Sequence, residues 1–454
     1  MVNKALSLAL MTLALLPLAT PAKMKEVLRW KQLDFMFRSN EERTRAIQTG
    51  RFHQENTLPL GLEVYGDRIF ITLPRWKTGS PATLAYVQRP SDLNAPPTTP
   101  LLNPYPNWEW NRENSGCDAF TSVFRAMADS CGRLWVMDAG KYNVVVDPQQ
   151  LCPPQVLVFD LKNDTLVRRF RFPEADLKDG SFFTNVAVDI RNDRNGRPIC
   201  DEAYAYMSDV WRSGLVVYSF KHDKSWRVNH DFFLPDPLHC KYTVGGYTFH
   251  WTDGLFTVAM GPVDTTTNDR MLYFHAMSSD KEFAVPASTV RNSSLANSFS
   301  DTFKYLGSRG QNGHSSASAM DKDGILFYNL VTRNAVGCWN SKFPYRAPYL
   351  GEVDISDETL VFPNDLKVDQ GGMDGFTGTQ TSSKRRRQTR TQGKQNLWVL
   401  SNKLQAFLYG ELDKSEYNFR ILALPVEDAI KDNSCHPDFI PSVEDLPARF
   451  GCDL

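Results

Sequence analysis

Two short segments bring acids, an amide and aromatic rings close together in the chain. One is Phe362, Pro363, Asn364, Asp365 and Leu366; the other is Thr248, Phe249, His250, Trp251, Thr252, Asp253 and Gly254. The Asn364 side-chain carbonyl can accept from an ammonium group or coordinate a cation, and Asp365 and Asp253 supply carboxylates. Rings beside such groups favour a flat or cationic ligand. A plainer role competes at each aspartate taken singly, because Asp at a strand end also bonds neighbouring backbone N–H groups.

Other chemistry is poorly represented. Gly313, His314, Ser315, Ser316 and Ala317 only approximate Gly-x-Ser-x-Gly, and they belong to a hairpin rather than to the strand-turn-helix that a nucleophile elbow requires. There is no P-loop, no Gly-x-Gly-x-x-Gly and no His-x-x-x-His spacing, so no cofactor is expected.

The elements that position these segments repeat. In the clearest copy Val123 and Met127 flank polar positions, residues 129–132 form an Asp/Gly turn, and Leu134, Trp135 and Val136 form the return strand. A second copy runs from Ser316, Ser318 and Met320 through the turn at 321–324 to Ile325, Leu326, Phe327 and Tyr328. Looser copies begin at Leu62 and at Val186, the latter resuming at Tyr204 after an insertion. Two more span 255–274 and 366–400 with longer inserts. Six such hairpins predict an all-β, six-bladed β-propeller. The innermost strands then line a central channel, and both segments above are expected on them. A strand-like stretch with Leu28, Trp30, Leu33, Phe35 and Phe37, and a weaker one with Phe419, Ile421 and Ala423, are placed to pair and close the ring. Ser39 with Glu42 three residues later predicts a short capped helix before the first blade.

A formal charge of -1 over 454 residues gives no electrostatic reason to expect nucleic acid or a membrane surface as partner. Lys4, the apolar run at 5–18 and the small residues Ala19, Thr20 and Ala22 read as a signal peptide over 1–22, with the propeller over 23–454. A secreted, extracellular location follows. It makes Cys117, Cys131, Cys152, Cys200, Cys240, Cys338, Cys435 and Cys452 disulfide candidates of open connectivity. Asn163 and Asn292 head glycosylation sequons. The insert at 370–395, with Lys384, Arg385, Arg386, Arg387 and Arg390, reads as an exposed basic loop.

Several blocks make the chain resemble the insect yellow and major royal jelly protein family. They are 129–138 (Asp-Ser-Cys-Gly-Arg-Leu-Trp-Val-Met-Asp), 204–227 with Gly214, Leu215, Val216, Val217 and Tyr218, the Trp-Thr-Asp-Gly run at 251–254, 335–340 with Cys338 and Trp339, and 362–368. The resemblance implies a secreted six-bladed propeller acting in melanin pigmentation or in hardening of cuticle and eggshell. It also implies a small aromatic amine or catechol-type ligand in the central channel. Asn364 is the first ligand contact it points to, with Phe362 and Leu366 beside it. An isomerase converting dopachrome is a second expectation, with Asp253, Asp365 and His250 as candidate bases. Two further readings remain at this level. One is a structural or nutritional protein that meets extracellular matrix partners. The other is a calcium-dependent, lactonase-like hydrolase using Glu63 and Asn364 as metal ligands.

Overall fold

Every one of the six hairpins forms, and each is the inner half of a four-stranded antiparallel sheet. The structure, a computed structural model, describes residues 24–113, 115–294, 300–371 and 394–441. The inner strands of blades 1 to 6 are Gly61–Tyr65, Val123–Ala128, Phe183–Asp189, Leu255–Val263, Ser318–Met320 and Pro363–Val368. Their return strands are Arg68–Thr72, Arg133–Asp138, Tyr204–Asp209, Arg270–Ala276, Ile325–Leu330 and Asn396–Ser401. Return strands such as Arg133–Asp138 and Ile325–Leu330 are buried along their whole length, because each sheet is sandwiched between its neighbours.

The apolar core accordingly lies between blades. Ile325, Phe327 and Val336 of blade 5 pack on Leu366, Leu397 and Val399 of blade 6, and comparable clusters fill the other gaps. Burying one such side chain fully contributes roughly 1.5–3 kcal/mol. The ring closes as the alternating stretches foretold: Lys25–Trp30 is the outer strand of blade 6, with Leu28 opposite Ile421 and Trp30 opposite Phe419. One sheet thus holds both ends of the ring.

The helix Asn40–Gln48 begins where Ser39 accepts from the Glu42 N–H. Glu42 reaches back to the Arg38 N–H at 3.1 Å, one residue before the position a capping box uses. No helix among the described residues is long and apolar enough to cross a membrane.

Three disulfides form, all with ordinary Cα separations: Cys117 with Cys152, Cys131 with Cys200, and Cys338 with Cys435. Cys131–Cys200 ties the first turn of blade 2 to the insertion in blade 3, and Cys338–Cys435 ties blade 5 to the segment beyond blade 6. Cys240, another of the eight disulfide candidates, has a free and buried thiol. It sits in the loop after blade 3 with its sulfur 3.3 Å from the Asp236 carbonyl, and the other cysteines of the described residues are bonded to one another. Cys452, the segment 1–22 and the basic run 384–390 lie outside the described residues. Asn163 and Asn292 are both exposed, in a turn and at a helix end.

One local irregularity recurs. In blades 2, 3, 4 and 6 the pairing of inner and return strands slips by one residue near the start, between Val123 and Arg125, Phe183 and Asn185, Leu255 and Thr257, and Pro363 and Asp365. A bulge leaves one residue unpaired and re-aims side chains. Here the unpaired residues are Phe124, Thr184, Phe256 and Asn364, and all four turn to the channel.

Candidate functional site

The four bulge residues line a cup of about 330 Å³ at one end of the channel. Its wall is aromatic: Trp76, Phe124, Phe182, Trp211, Trp251, Phe256, Phe362 and Tyr409 all contribute. Phe124 meets Phe182 and Phe256 edge-on, with centroids 5.4 and 6.1 Å apart. Phe362 is held at φ 52° immediately before Pro363, a backbone conformation costly for a bulky residue, and it is completely buried. That conformation turns its ring edge-on to Trp251 at 6.1 Å. At the rim Trp251 Nε1 donates to Tyr409 Oη at 2.5 Å, and Phe249 stacks on Tyr409.

Asp253 is the one ionisable acid among the side chains lining the cup, apart from the Tyr409 phenol, and no Lys, Arg or His lines it. Its backbone is clamped: the Asp253 N–H donates to Ser278 Oγ, and the Asp253 carbonyl accepts from the Ser278 N–H. Gly254 must follow, because a Cβ there would lie 2.1 Å from Ser213 Oγ and 2.8 Å from the Phe233 carbonyl. The Asp253 carboxyl itself has no hydrogen bond or ion pair with any described residue. Burial with nothing to offset it pushes its pKa up to about 7. Asn364 is buried, and its Nδ2 donates to no described residue. The cup therefore offers flat apolar faces, one acceptor that charges near neutrality, and one amide donor.

Beneath the cup the channel is closed. The residues that follow the bulges form a polar septum, in which Arg125 pairs with Asp365 and Asn185 Nδ2 donates to Thr257 Oγ1 at 3.5 Å. Arg125 Nη1 pairs with Asp365 at 3.0 Å, both side chains only 1% exposed. Arg125 Nη2 also donates to the Asn364 carbonyl at 2.7 Å and to Asn364 Oδ1 at 3.3 Å. The guanidinium lies 5.6 Å from the Phe256 ring, directly under the cup. Asp365 accepts as well from the N–H groups of Leu62 and Leu366 at 2.9 Å, which joins blade 6 to blade 1. On the far side a polar chamber of about 430 Å³ contains Glu63, Asp365, Leu366 and Lys367. Burial raises the Glu63 carboxyl to about 7, even though Lys367 at 3.8 Å opposes the rise.

The expected site residues thus separate. Phe362, Asn364 and Asp253 come together in the cup, whereas Leu366 and Glu63 face the opposite chamber. Asp365 is committed to Arg125 and two backbone donors, the plainer role open to it from the start. Residues 248–250 correct the expectation of an inner strand. They belong to a two-stranded ribbon, Lys241–Val244 with Tyr247–His250, that precedes blade 4, and His250 points to solvent. The Glu63 and Asn364 pair does not fit a calcium ion: Asn364 and Asp365 aim their oxygens at Arg125, and Glu63 faces Lys367, so the protein's own cations already take those donors. Sequence reasoning did not single out Arg125, Trp211, Phe256 or Tyr409. The one available signal was a polar residue second or third in an otherwise apolar strand, as at Phe124-Arg125 and Phe256-Thr257.

The family described as Major royal jelly protein matches residues 121–435. Dopaminechrome tautomerase of Drosophila melanogaster is 37% identical over 429 residues, 93% of this chain and 86% of that protein. Protein yellow of Drosophila yakuba is also 37% identical over 429 residues, covering 93% of this chain and 73% of its own length. Among solved structures, a luciferin-regenerating enzyme overlays 81% of this chain and 91% of its own at 11% identity with a TM-score of 0.41, a level that carries no argument about the site. Match and identity over nearly the whole chain make this protein a member of the yellow and major royal jelly protein family.

Proposed function

We propose that this family member is secreted and binds a small aromatic amine or catechol-type ligand in the aromatic cup, acting in melanin pigmentation or in hardening of cuticle or eggshell. The observation that carries the reading is Asp253, a carboxyl without a partner among the described residues in a pocket walled by aromatic rings. Such a group is costly to leave ionised unless a ligand cation neutralises it, and the surrounding rings add attraction for a protonated amine or a flat catechol. The volume falls at the lower end of the ~300–1,000 Å³ usual for small-molecule sites. Three disulfides agree with an oxidising destination.

Calorimetric titration of the purified protein with dopamine and serotonin tests this. Saturable binding of either supports it, and absence of heat with both leaves a matrix role as the better account. A second reading, conversion of an aminochrome, draws support from the tautomerase relative and from the ionisation of Asp253 near neutrality, where a general base works best. Tautomerisation of an aminochrome to the dihydroxyindole removes one proton from each of two saturated ring carbons and returns one to each quinone oxygen, and Asp253 is the lining carboxyl able to accept the first. Decay of dopaminechrome and dopachrome, followed spectroscopically with wild type and Asp253→Asn, checks this; equal rates in the two proteins would remove Asp253 from the chemistry.

A further inference from the structure

The cup's charge is one-sided. Its lining carries one carboxyl and no cation. The groups electrostatically close to Asp253 are Cys240, Tyr242 and Tyr409, which are neutral at ordinary pH. Among the described residues, Lys141 is 5.7 Å from the Trp211 ring on a neighbouring ribbon and Arg125 is under Phe256 with its charge taken by Asp365, and neither lines the cup. A ligand ammonium therefore finds a counter-charge in the cup. A ligand carboxylate would be desolvated against rings, with an acid as its charged neighbour and no guanidinium or ammonium to receive it. The side-chain N–H donors available to it are the Asn364 amide and tryptophan indoles such as Trp76 Nε1, all of them neutral.

We propose that the cup selects aromatic amines lacking a carboxylate over the corresponding amino acids, with Asp253 as the specificity-determining residue. The selectivity comes mainly from rejection, since the pocket withholds any cation that an α-amino acid would need. The same rule ranks a cyclised aminochrome without a ring carboxylate above its carboxylated analogue. This inference rests on the ligand-binding reading above and narrows its substrate class.

The test holds the catechol ring constant and varies the charge. Dopamine is a cation, 4-methylcatechol neutral, L-dopa a zwitterion, and 3-(3,4-dihydroxyphenyl)propionate an anion. Each is titrated calorimetrically into wild type and Asp253→Asn. Dopamine is expected to bind at least about 10-fold more tightly than L-dopa, with the anion weakest, consistent with an unpaired charge in a desolvated site. In Asp253→Asn, dopamine should fall to within about 3-fold of 4-methylcatechol, and the gap between dopamine and L-dopa should shrink. Binding of L-dopa within about 3-fold of dopamine by wild type overturns the proposal, as does an unchanged gap in a folded variant. If Asp253→Asn does not fold, the wild-type ranking alone decides. Failure of all four compounds to bind refutes the ligand reading itself, a result distinct from binding without charge preference.

Discussion

The two halves of the channel are built from adjacent residues of the same strands, yet they treat charge in opposite ways. Below the bulges, Arg125 and Asp365 are almost fully buried and pair with one another, with backbone donors from Leu62 and Leu366 completing the carboxylate. Above them, Asp253 has aromatic neighbours and no partner among the described residues. A buried charge that is paired locks a structure, and removing one member leaves the other uncompensated. A half-buried carboxylate without a partner is costly to ionise in the free protein and lies open to a ligand cation. The lower half holds the ring together; the upper half is the half open to chemistry.

The largest expected effect breaks the lower half. Asp365→Asn should cost about 3–5 kcal/mol in urea unfolding, because Arg125 stays charged in the septum. Arg125→Met together with Asp365→Asn should recover part of that loss, which a double-mutant cycle would measure. A loss below about 1 kcal/mol for the single variant would mean that the septum does not hold the blades.

Asp253→Asn should do the reverse, weakening dopamine about 10-fold, or about 1.4 kcal/mol, while unfolding near pH 4 stays within about 0.5 kcal/mol of wild type and above pH 7 shows no loss. A stability loss comparable to that of Asp365→Asn would erase the distinction between the halves.

The pH dependence sharpens the comparison, since burial raises both Asp253 and Glu63 to about 7, opposed at Glu63 by Lys367 and by nothing at Asp253. Ordinary values are about 3.9 for Asp and 4.3 for Glu, so between about pH 4 and 7 the folded protein keeps protons that the unfolded chain has released. Their contribution to stability is complete below about pH 4 and is lost as the pH rises through about 7. Urea unfolding across that window should show a shallower decline for Asp253→Asn and for Glu63→Gln. Lys367→Met should push Glu63 higher and leave Asp253 unmoved, because Lys367 acts on Glu63 alone of the two. Dopamine affinity of wild type should rise through pH 7 as Asp253 ionises.

The smallest effect belongs to the rim. Tyr409→Phe removes the acceptor for Trp251 Nε1, but Tyr409 is 49% exposed and water can replace it. Affinity should change by less than about 3-fold and stability by at most about 0.5 kcal/mol, the low end for one hydrogen bond.

Much of the ring was readable because its signals are local. An Asp/Gly turn between alternating strands needs only nearby residues, and Asp129 shows why: its carboxylate takes the N–H groups of Cys131 and Arg133 and the Trp135 indole within one turn. Closure was readable too, since Leu28, Trp30, Phe419 and Ile421 declare a buried face by their spacing. The site was only half readable. Asn364 and Asp365 are neighbours in sequence, but a bulge between them and the strand partner sends one into the cup and the other into the septum. Thr248 to His250 carry the aromatic alternation of an inner strand, and the same alternation suits the ribbon they form.

By itself the sequence determined six hairpins, an all-β ring closed by its own ends, and a family. Those follow from side-chain periodicity and turn geometry, which act over a few residues. The tertiary structure alone decided which acid is free. Arg125, from a strand 239 residues away from Asn364, reaches the axis and pairs with Asp365, while no cation among the described residues reaches Asp253. Electrostatic pairing across a closed ring depends on distances through space, and no spacing along the chain encodes them.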